Sequence, residues 1–187
     1  MKKLYYTLLL LIMNINNNNA YADSLHKDNF QNPAQWSYIS DNVMGGKSKG
    51  SVYYDMGEGS SIAYLSGNVT TKNNGGFIQI RKNLKDINLK DAEYVKITAK
   101  GNNQKYFVHF RTSGTILPWQ YYQLSFTVTK EYKEFILPIS EFKKSGSFQA
   151  SKINPKSITS IGLVAFGRDH EAKLYIKEVS FYGTENK

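Results

Sequence analysis

The sequence predicts an all-β domain of the sandwich or jelly-roll class, and three observations support this prediction. Apolar and polar residues alternate in short runs along most of the chain, as they do in strands that bury one face. Gly, Asn and Ser, which favour turns, separate these runs. Helical periodicity is nearly absent. About nine short strands joined by turns are typical of a sandwich or jelly roll.

The amino-terminal segment has the order of a secretory signal peptide. Lys2 and Lys3 precede an apolar run at 4–13, and the segment ends in small residues at 20 and 22. The apolar run is about half of the roughly 20 residues that a membrane-spanning helix needs, so an uncleaved anchor is the weaker alternative. We expect cleavage after Ala22, an exported protein that is periplasmic or secreted, and no stable membrane span after cleavage.

The remaining chain, 23–187, is long enough for one domain with a sizeable core. The sequence contains no cysteine, which excludes disulfides and thiolate zinc sites. Its formal charge is +9, but the lysines are dispersed and form no basic block. This distribution is typical of a solvated surface, and we expect no nucleic-acid partner.

The strands are predicted in order wherever alternation is bounded by turn residues. They are expected at 51–54, 62–69, 76–81, 94–100, 105–112, 121–128, 134–137, 161–166 and 173–182. The tracts at 71–76 and 168–171 are rich in turn-forming residues, and each is expected to close a hairpin. Ser140 is the expected cap of one short helix.

Alternation also assigns side chains to the two faces of each strand. The expected core residues are Ile78, Ile80, Tyr106, Val108, Phe110, Tyr122, Leu124, Phe126 and Val128. The opposite faces carry Phe77, Gln79, Arg81, Phe107, His109, Arg111, Tyr121, Gln123 and Ser125. Aromatic rings stack on sugars, and Arg and Gln donate hydrogen bonds to hydroxyl or carboxylate oxygens. These residues form a recognition surface if their strands are neighbours, or a second apolar layer if loops cover them.

Two glycine-rich motifs stand near the middle of the chain. Trp36 is followed at 40–48 by S-D-N-V-M-G-G-K-S, and the sequence G-G-F-I-Q-I-R occupies 75–81. Paired glycines permit a tight backbone path, and the oxygens of Asp41 or Ser48 can accept hydrogen bonds from loop amides. The same residue types would suit a structural loop over a sheet edge or the wall of a ligand pocket. A phosphate-binding loop is disfavoured, because Asp41 replaces a glycine that the Walker sequence requires.

These motifs resemble those of the complex I intermediate-associated protein 30 family, in which a Trp precedes S-D-x-V-M-G-G-x-S and then G-G-F-x-x-x-R. The later order of residues at 106–112, 119–126 and 135–142 is similar as well, so the resemblance covers nearly all of 23–187. It implies a jelly roll of the galactose-binding-like type. It also implies a non-catalytic assembly factor that binds a protein partner. Export would separate this chain from the cytoplasmic arm of the respiratory complex, which leaves the partner open.

No catalytic constellation is recognisable, so we expect no enzyme, cofactor or metal site. The favoured function is binding of a protein partner, and the alternative is a carbohydrate-binding module that uses the aromatic and arginine face. Carbohydrate binding predicts exposed aromatic rings beside arginines, whereas protein binding predicts a broad apolar patch. The candidate binding residues are Asp41, Gly45, Gly46, Ser48, Arg81, Phe107, His109, Arg111, Trp119 and Tyr121.

Overall fold

The structure, a computed structural model, describes residues 24–57 and 61–183. Its strands are β1 (Ser24–Asp28), β2 (Trp36–Ser40), β3 (Lys49–Met56), β4 (Ser61–Val69), β5 (Phe77–Asn83), β6 (Ala92–Gly101), β7 (Lys105–Thr112), β8 (Tyr122–Thr127), β9 (Lys133–Pro138), β10 (Lys143–Lys144), β11 (Ile158–Phe166) and β12 (His170–Gly183). The signal peptide expected at 1–22 lies outside the described residues. Within the described ranges, no helix has the length and apolar character needed to cross a bilayer.

The strands form two antiparallel sheets. The first sheet has the order β3-β4-β12-β6-β9, and β1 also pairs with β12. The second sheet has the order β10-β8-β7-β11-β5-β2. The long strand β12 organises the first sheet, because β4 pairs with its first half, β1 pairs with its second half, and β6 lies along its other side. This arrangement is the all-β sandwich that the sequence predicts.

The core lies between the inward faces of the two sheets. Eight of the nine expected core residues are buried, and Leu124 is half-buried against the core. The ring of Phe110, on the second sheet, lies 4.5 Å from that of Phe142 and 5.9 Å from that of Phe181 on the first sheet. Burying each such side chain contributes about 1.5 to 3 kcal/mol, so these inward-facing residues stabilise the packing of the two sheets without disulfides.

A buried ion pair joins the sheets and orients β5. Asp28 of β1 accepts hydrogen bonds from Lys82 Nζ and, at 3.1 Å, from Trp36 Nε1. Lys82 also donates to Gln35 Oε1 at 2.6 Å. Because successive side chains of a strand point to opposite faces, fixing Lys82 inward turns its neighbour Arg81 outward.

Both hairpin predictions are wrong. The tract at 71–76 connects β4 of the first sheet to β5 of the second, and the tract at 168–171 connects β11 of the second sheet to β12 of the first. The turn chemistry was nevertheless correct, since Asn73 and Asn74 have a φ of 57° and Gly76 a φ of 129°. The two connections are held to each other by Asp169, which accepts from Thr71 N at 2.7 Å.

The helix prediction at Ser140 is also wrong. Ser140 lies within a single 3-10 turn, Ile139–Glu141, whose N-cap position is occupied by Pro138. The turn ends because Phe142 is drawn into the core, where it is buried. The strands β1, β2 and β10 were not predicted, because they have too few alternating apolar residues to be separated from loop sequence.

Candidate functional site

The outer face of the second sheet brings most of the predicted binding residues together. Strand β11 lies between β5 and β7, and Gly162 at its centre pairs with Arg81 on one side and His109 on the other. Because glycine has no side chain, the outward side chains of β5 and β7 can approach each other across it. A Cβ at Gly162 would lie 2.7 Å from Gln79 Oε1, so a larger residue would displace Gln79.

A cleft of about 310 Å³ lies on this face. Its floor is formed by outward side chains of β5, β7 and β11, one wall by the loops at 43–44 and 74–75, and the other wall by residues 118–121. The lining residues are Ile39, Val43, Met44, Asn74, Gly75, Phe77, Gln79, Arg81, His109, Arg111, Pro118, Trp119, Gln120, Tyr121 and Phe166.

The floor contains a packed aromatic cluster. The ring of Tyr121 stacks on His109 with 4.0 Å between centroids and 8° between planes. The ring of Phe166 meets His109 edge-on at 5.5 Å. Burial, followed by the nearby Arg81 guanidinium, lowers the pKa of His109 to about 3. His109 is therefore a neutral packing residue at physiological pH.

The second wall displays Trp119 on a braced loop. Arg111 donates hydrogen bonds through Nη1 to the Pro118 carbonyl oxygen at 2.7 Å, and through Nη2 to the carbonyl oxygens of Thr115 and Leu117 at 3.3 and 3.2 Å. Buried Gln120 supports the same loop by accepting from the amides of residues 116 and 117. The Trp119 side chain remains 60% exposed at the rim.

The first wall is built on Asp41, whose side chain is fully buried. Its carboxylate accepts hydrogen bonds from Ser48 N at 3.0 Å, Gly76 N at 2.6 Å and Phe77 N at 3.2 Å, and from the Ser48 hydroxyl. Burial raises the pKa of Asp41, but the hydrogen bonds from Ser48, Gly76 and Phe77 outweigh it and hold the pKa below its usual value. The carboxylate is thus ionised and links the two glycine-rich motifs.

Close packing on Asp41 explains why both motifs need glycine. A Cβ at Gly46 would lie 2.3 Å from Asp41 Cγ, and a Cβ at Gly75 would lie 2.4 Å from Asp41 Oδ2. Gly45 has a φ of 86°, a conformation that other residues rarely adopt. The glycines at 45, 46 and 75 are therefore accounted for by the structure of the wall.

The ten predicted binding residues fall into two groups. Arg81, His109, Arg111, Trp119 and Tyr121 line the cleft. The other five do not line it. Phe107 packs edge-on against Phe166 at 5.6 Å, and Asp41, Gly45, Gly46 and Ser48 lie behind or beside the first wall.

Sequence reasoning missed Phe166, Met44 and Gln120 as members of the cleft. A signal for Phe166 was present, because alternation along β11 places residues 162, 164 and 166 on the face opposite Ile161 and Leu163. Gln120 carried no such signal, since its role depends on the path of a loop.

The chemistry of the cleft is that of recognition by stacking and hydrogen bonding. Of the described residues that line it, none is Asp or Glu, and its histidine is neutral. Across 24–57 and 61–183, no three His, Cys, Asp or Glu side chains are grouped as a metal site requires. The lining instead combines aromatic rings with the amides of Gln79, Asn74 and Gln120 and the guanidinium groups of Arg81 and Arg111.

Carbohydrate-binding modules are among the solved structures with the same fold. The family 11 module of a cellulosomal cellulase of Clostridium thermocellum superimposes with a TM-score of 0.68 at 16% identity, over 84% of this chain and 92% of that chain. The family 11 module in complex with a β-1,3-1,4-mixed-linked tetrasaccharide gives 0.66 at 16% identity, over 84% and 94%. A family 30 carbohydrate-binding module gives 0.56 at 13% identity, over 80% and 83%. At these identities, the likeness establishes the jelly-roll fold.

Sequence comparison identifies the family. A search of curated proteins found no match to this chain. The profile of complex I intermediate-associated protein 30 matches residues 25–176, a span that includes both glycine-rich motifs, the floor of the cleft and the Trp119 loop. The chain therefore belongs to the complex I intermediate-associated protein 30 family.

Proposed function

We propose that this protein is a non-catalytic binding protein whose cleft on the second sheet takes an oligosaccharide. The observation that carries the proposal is the position of Trp119, an exposed ring on a braced loop of the cleft that Arg81 and Gln79 also line. A flat ring beside hydrogen-bond donors matches the apolar face and hydroxyl edge of a sugar. The likeness to a family 11 module in complex with a tetrasaccharide supports the same kind of ligand.

The composition of the cleft supports binding without catalysis. Most glycoside hydrolases use a pair of carboxyl groups that flank the glycosidic bond, and none of the described lining residues carries a carboxyl group. His109 is protonated only at very low pH, so it is unsuited to proton transfer near neutrality.

Removal of the Trp119 ring tests the proposal. The chain from residue 23 onward would be screened on an array of neutral and acidic glycans that includes the mixed-linked tetrasaccharide, and binding would be measured by calorimetry. We expect Trp119→Ala to weaken binding about tenfold, which corresponds to about 1.4 kcal/mol of lost stacking. The matched control is Phe148→Ala, because Phe148 is 96% exposed and lies outside the described cavities.

The second candidate function is the binding of a protein partner, which family membership favours. Exposed apolar side chains flank the cleft: Val43 and Met44 on the first wall, and Ile116 and Leu117 near the second. Together they offer apolar contact area of the kind that protein interfaces use. A silent glycan array, together with a discrete partner whose binding is lost in Met44→Ser, would replace the oligosaccharide with this function.

We also propose that the protein is exported and that the mature chain begins at Asp23. The order of charges, apolar residues and small residues at 1–22 supports this proposal. Amino-terminal sequencing of the protein recovered outside the cytoplasm tests it. Recovery of a cytoplasmic chain that still begins at Met1 would contradict it.

A further inference from the structure

The cleft continues into a second cavity on the same face of the second sheet. This cavity has a volume of about 520 Å³, and it shares Ile39, Arg81 and Arg111 with the cleft. We name it the cationic cavity because Lys85 joins the two arginines in its lining, whereas none of its described lining residues is Asp or Glu. Its remaining lining residues are polar or small: Gln35, Ser37, Asn83, Thr112, Ser113, Thr115, Thr159 and Ser160.

Arg81 stands at the junction of the two cavities and lacks an acceptor. Within the described ranges, its half-buried guanidinium makes no hydrogen bond and no ion pair. Burial and then the neighbouring Arg111 lower the pKa of Arg81, as expected for a cation that lacks a counter-charge. The adjacent residue, Lys82, has both Asp28 and Gln35 as partners. The contrast shows that this strand satisfies its buried cation on one face and leaves its cation on the other face available.

Arg111 plays a different part. Three loop carbonyl oxygens already accept hydrogen bonds from its guanidinium. Arg111 therefore adds positive charge to the junction, while Arg81 alone of the pair retains its full set of side-chain donors for a ligand. A guanidinium has a planar fork that matches the two oxygens of a carboxylate.

We propose that the oligosaccharide bound by this protein is acidic, and that Arg81 binds the carboxylate of a uronic acid unit at the junction. This inference rests on the proposed function, since it assigns the ligand of the same cleft. Neutral faces of the sugar chain stack on Trp119 and Tyr121. The acidic unit lies toward the cationic cavity, where Lys85 and the hydroxyl groups surround it.

The test compares matched acidic and neutral oligosaccharides. The probes are short oligogalacturonates and oligomannuronates, their methyl esters, and a sulfated galactan oligosaccharide of similar length, titrated against the chain from residue 23 onward. We expect at least one oligouronide to bind ten times more tightly than its own ester, because the ester removes the charge and keeps the sugar chain. The preference is expected to shrink at high salt.

Two substitutions at Arg81 assign the effect to this side chain. Arg81→Gln is expected to abolish the tenfold preference for the acid over its own ester, and a preference that survives this substitution would overturn the assignment to Arg81. Arg81→Lys keeps the charge but loses the fork, so an intermediate loss is expected. The matched control is Lys177→Gln, which removes the same charge from the outer face of the first sheet and is expected to change affinity less than twofold. Urea unfolding of Arg81→Gln checks the fold, and its midpoint is expected to equal or exceed that of the wild type.

The outcomes separate this inference from the proposed function. Equal binding of acids and esters would overturn the uronic acid assignment and leave oligosaccharide binding intact. If the protein bound the sulfated probe but not the oligouronides, the assignment of a carboxylate would be overturned, and the ligand would be a different anionic sugar. The absence of binding to any glycan on the array, neutral or acidic, would overturn the proposed function and this inference with it.

Discussion

The two outer faces of the sandwich both carry aromatic rings and cationic side chains, but the cations have different partners on the two faces. On the first sheet, Tyr64 stacks on Tyr175 with 4.2 Å between ring centroids. Lys177 Nζ lies 4.1 Å from the ring centroid of Tyr132, and Lys100 Nζ lies 4.8 Å from the same centroid. Lys100 and Lys177 are therefore stabilised by a ring of the protein itself.

On the outer face of the second sheet, the aromatic rings pack on each other, but Arg81 packs on no described ring. Tyr121 stacks on His109, while Arg81 has no side-chain partner among the described residues. The cavity on the first face, about 610 Å³, is larger than either cavity on the second. The proposed binding site is therefore not at the largest of these three cavities, and it is marked instead by the unpaired Arg81 in a cleft that also holds the exposed Trp119 ring.

The largest expected effect on stability comes from removal of Asp41, which supports the first wall of the cleft on the second sheet. Asp41→Ala leaves the amides of Ser48, Gly76 and Phe77 without their acceptor, so we expect the free energy of unfolding to fall by about 3 to 5 kcal/mol. Asp55→Ala, on the outer face of the first sheet, is the control and is expected to lie within about 0.5 kcal/mol of the wild type. Urea unfolding measures both. A loss below about 1 kcal/mol for Asp41→Ala would contradict the role of Asp41 in the first wall.

Acidification provides a second test of the Asp41 carboxylate. Its folded pKa lies below the unfolded value of about 3.9. The stabilisation is therefore fully present above the unfolded pKa and is lost as the pH falls through the folded pKa. We expect the difference in urea midpoint between the wild type and Asp41→Asn to be largest near pH 6 and to narrow below about pH 4. Other acids titrate equally in both proteins, so a gap that stays constant would contradict the depressed pKa of Asp41.

The loop that carries Trp119 should respond to Arg111. Arg111→Lys keeps a positive charge but replaces the planar guanidinium, which spans the carbonyl oxygens at 115, 117 and 118, with a single ammonium group. We expect ligand affinity to fall about tenfold, or about 1.4 kcal/mol, because the ring is less well positioned. Hydrogen exchange of the amides at 113–120 is expected to quicken at the same time. The control is Arg168→Lys, since Arg168 braces residues 104 and 105 away from the cleft and should change neither quantity.

Much of the fold could be predicted from the sequence because strands that bury one face have alternating apolar and polar residues. All nine predicted strands occur, with shifts at their ends, and residues such as Tyr106 and Phe110 point inward as expected. The connections were not predictable in the same way. The turn residues at 73 and 74 adopt positive φ whether they join neighbouring strands or two sheets, so local chemistry does not reveal the partner of a strand.

The candidate site was predictable only where it follows a strand. Alternation placed Arg81, His109 and Arg111 on one face, and all three line the cleft. Which arginine retains free donors depends on the path of the loop at 115–118, which has no periodic pattern. The role of Asp41 was left open for a similar reason. An aspartate that stabilises a loop and an aspartate that binds a ligand can stand in the same sequence motif.

The smallest change in ligand affinity is expected from removal of two lysines on the first face. The double variant Lys100→Gln and Lys177→Gln removes both cations from the tyrosines of the first face. We expect ligand affinity to change less than twofold and the free energy of unfolding to fall by about 1 to 2 kcal/mol in total, since each exposed cation–π contact contributes about 0.5 to 1 kcal/mol. Calorimetry and urea unfolding measure the two quantities. A tenfold loss of affinity would contradict this assignment of the binding site. It would mean that the ligand binds to Lys100 and Lys177 on the first sheet, and that these lysines contact the tyrosine rings only when no ligand is bound.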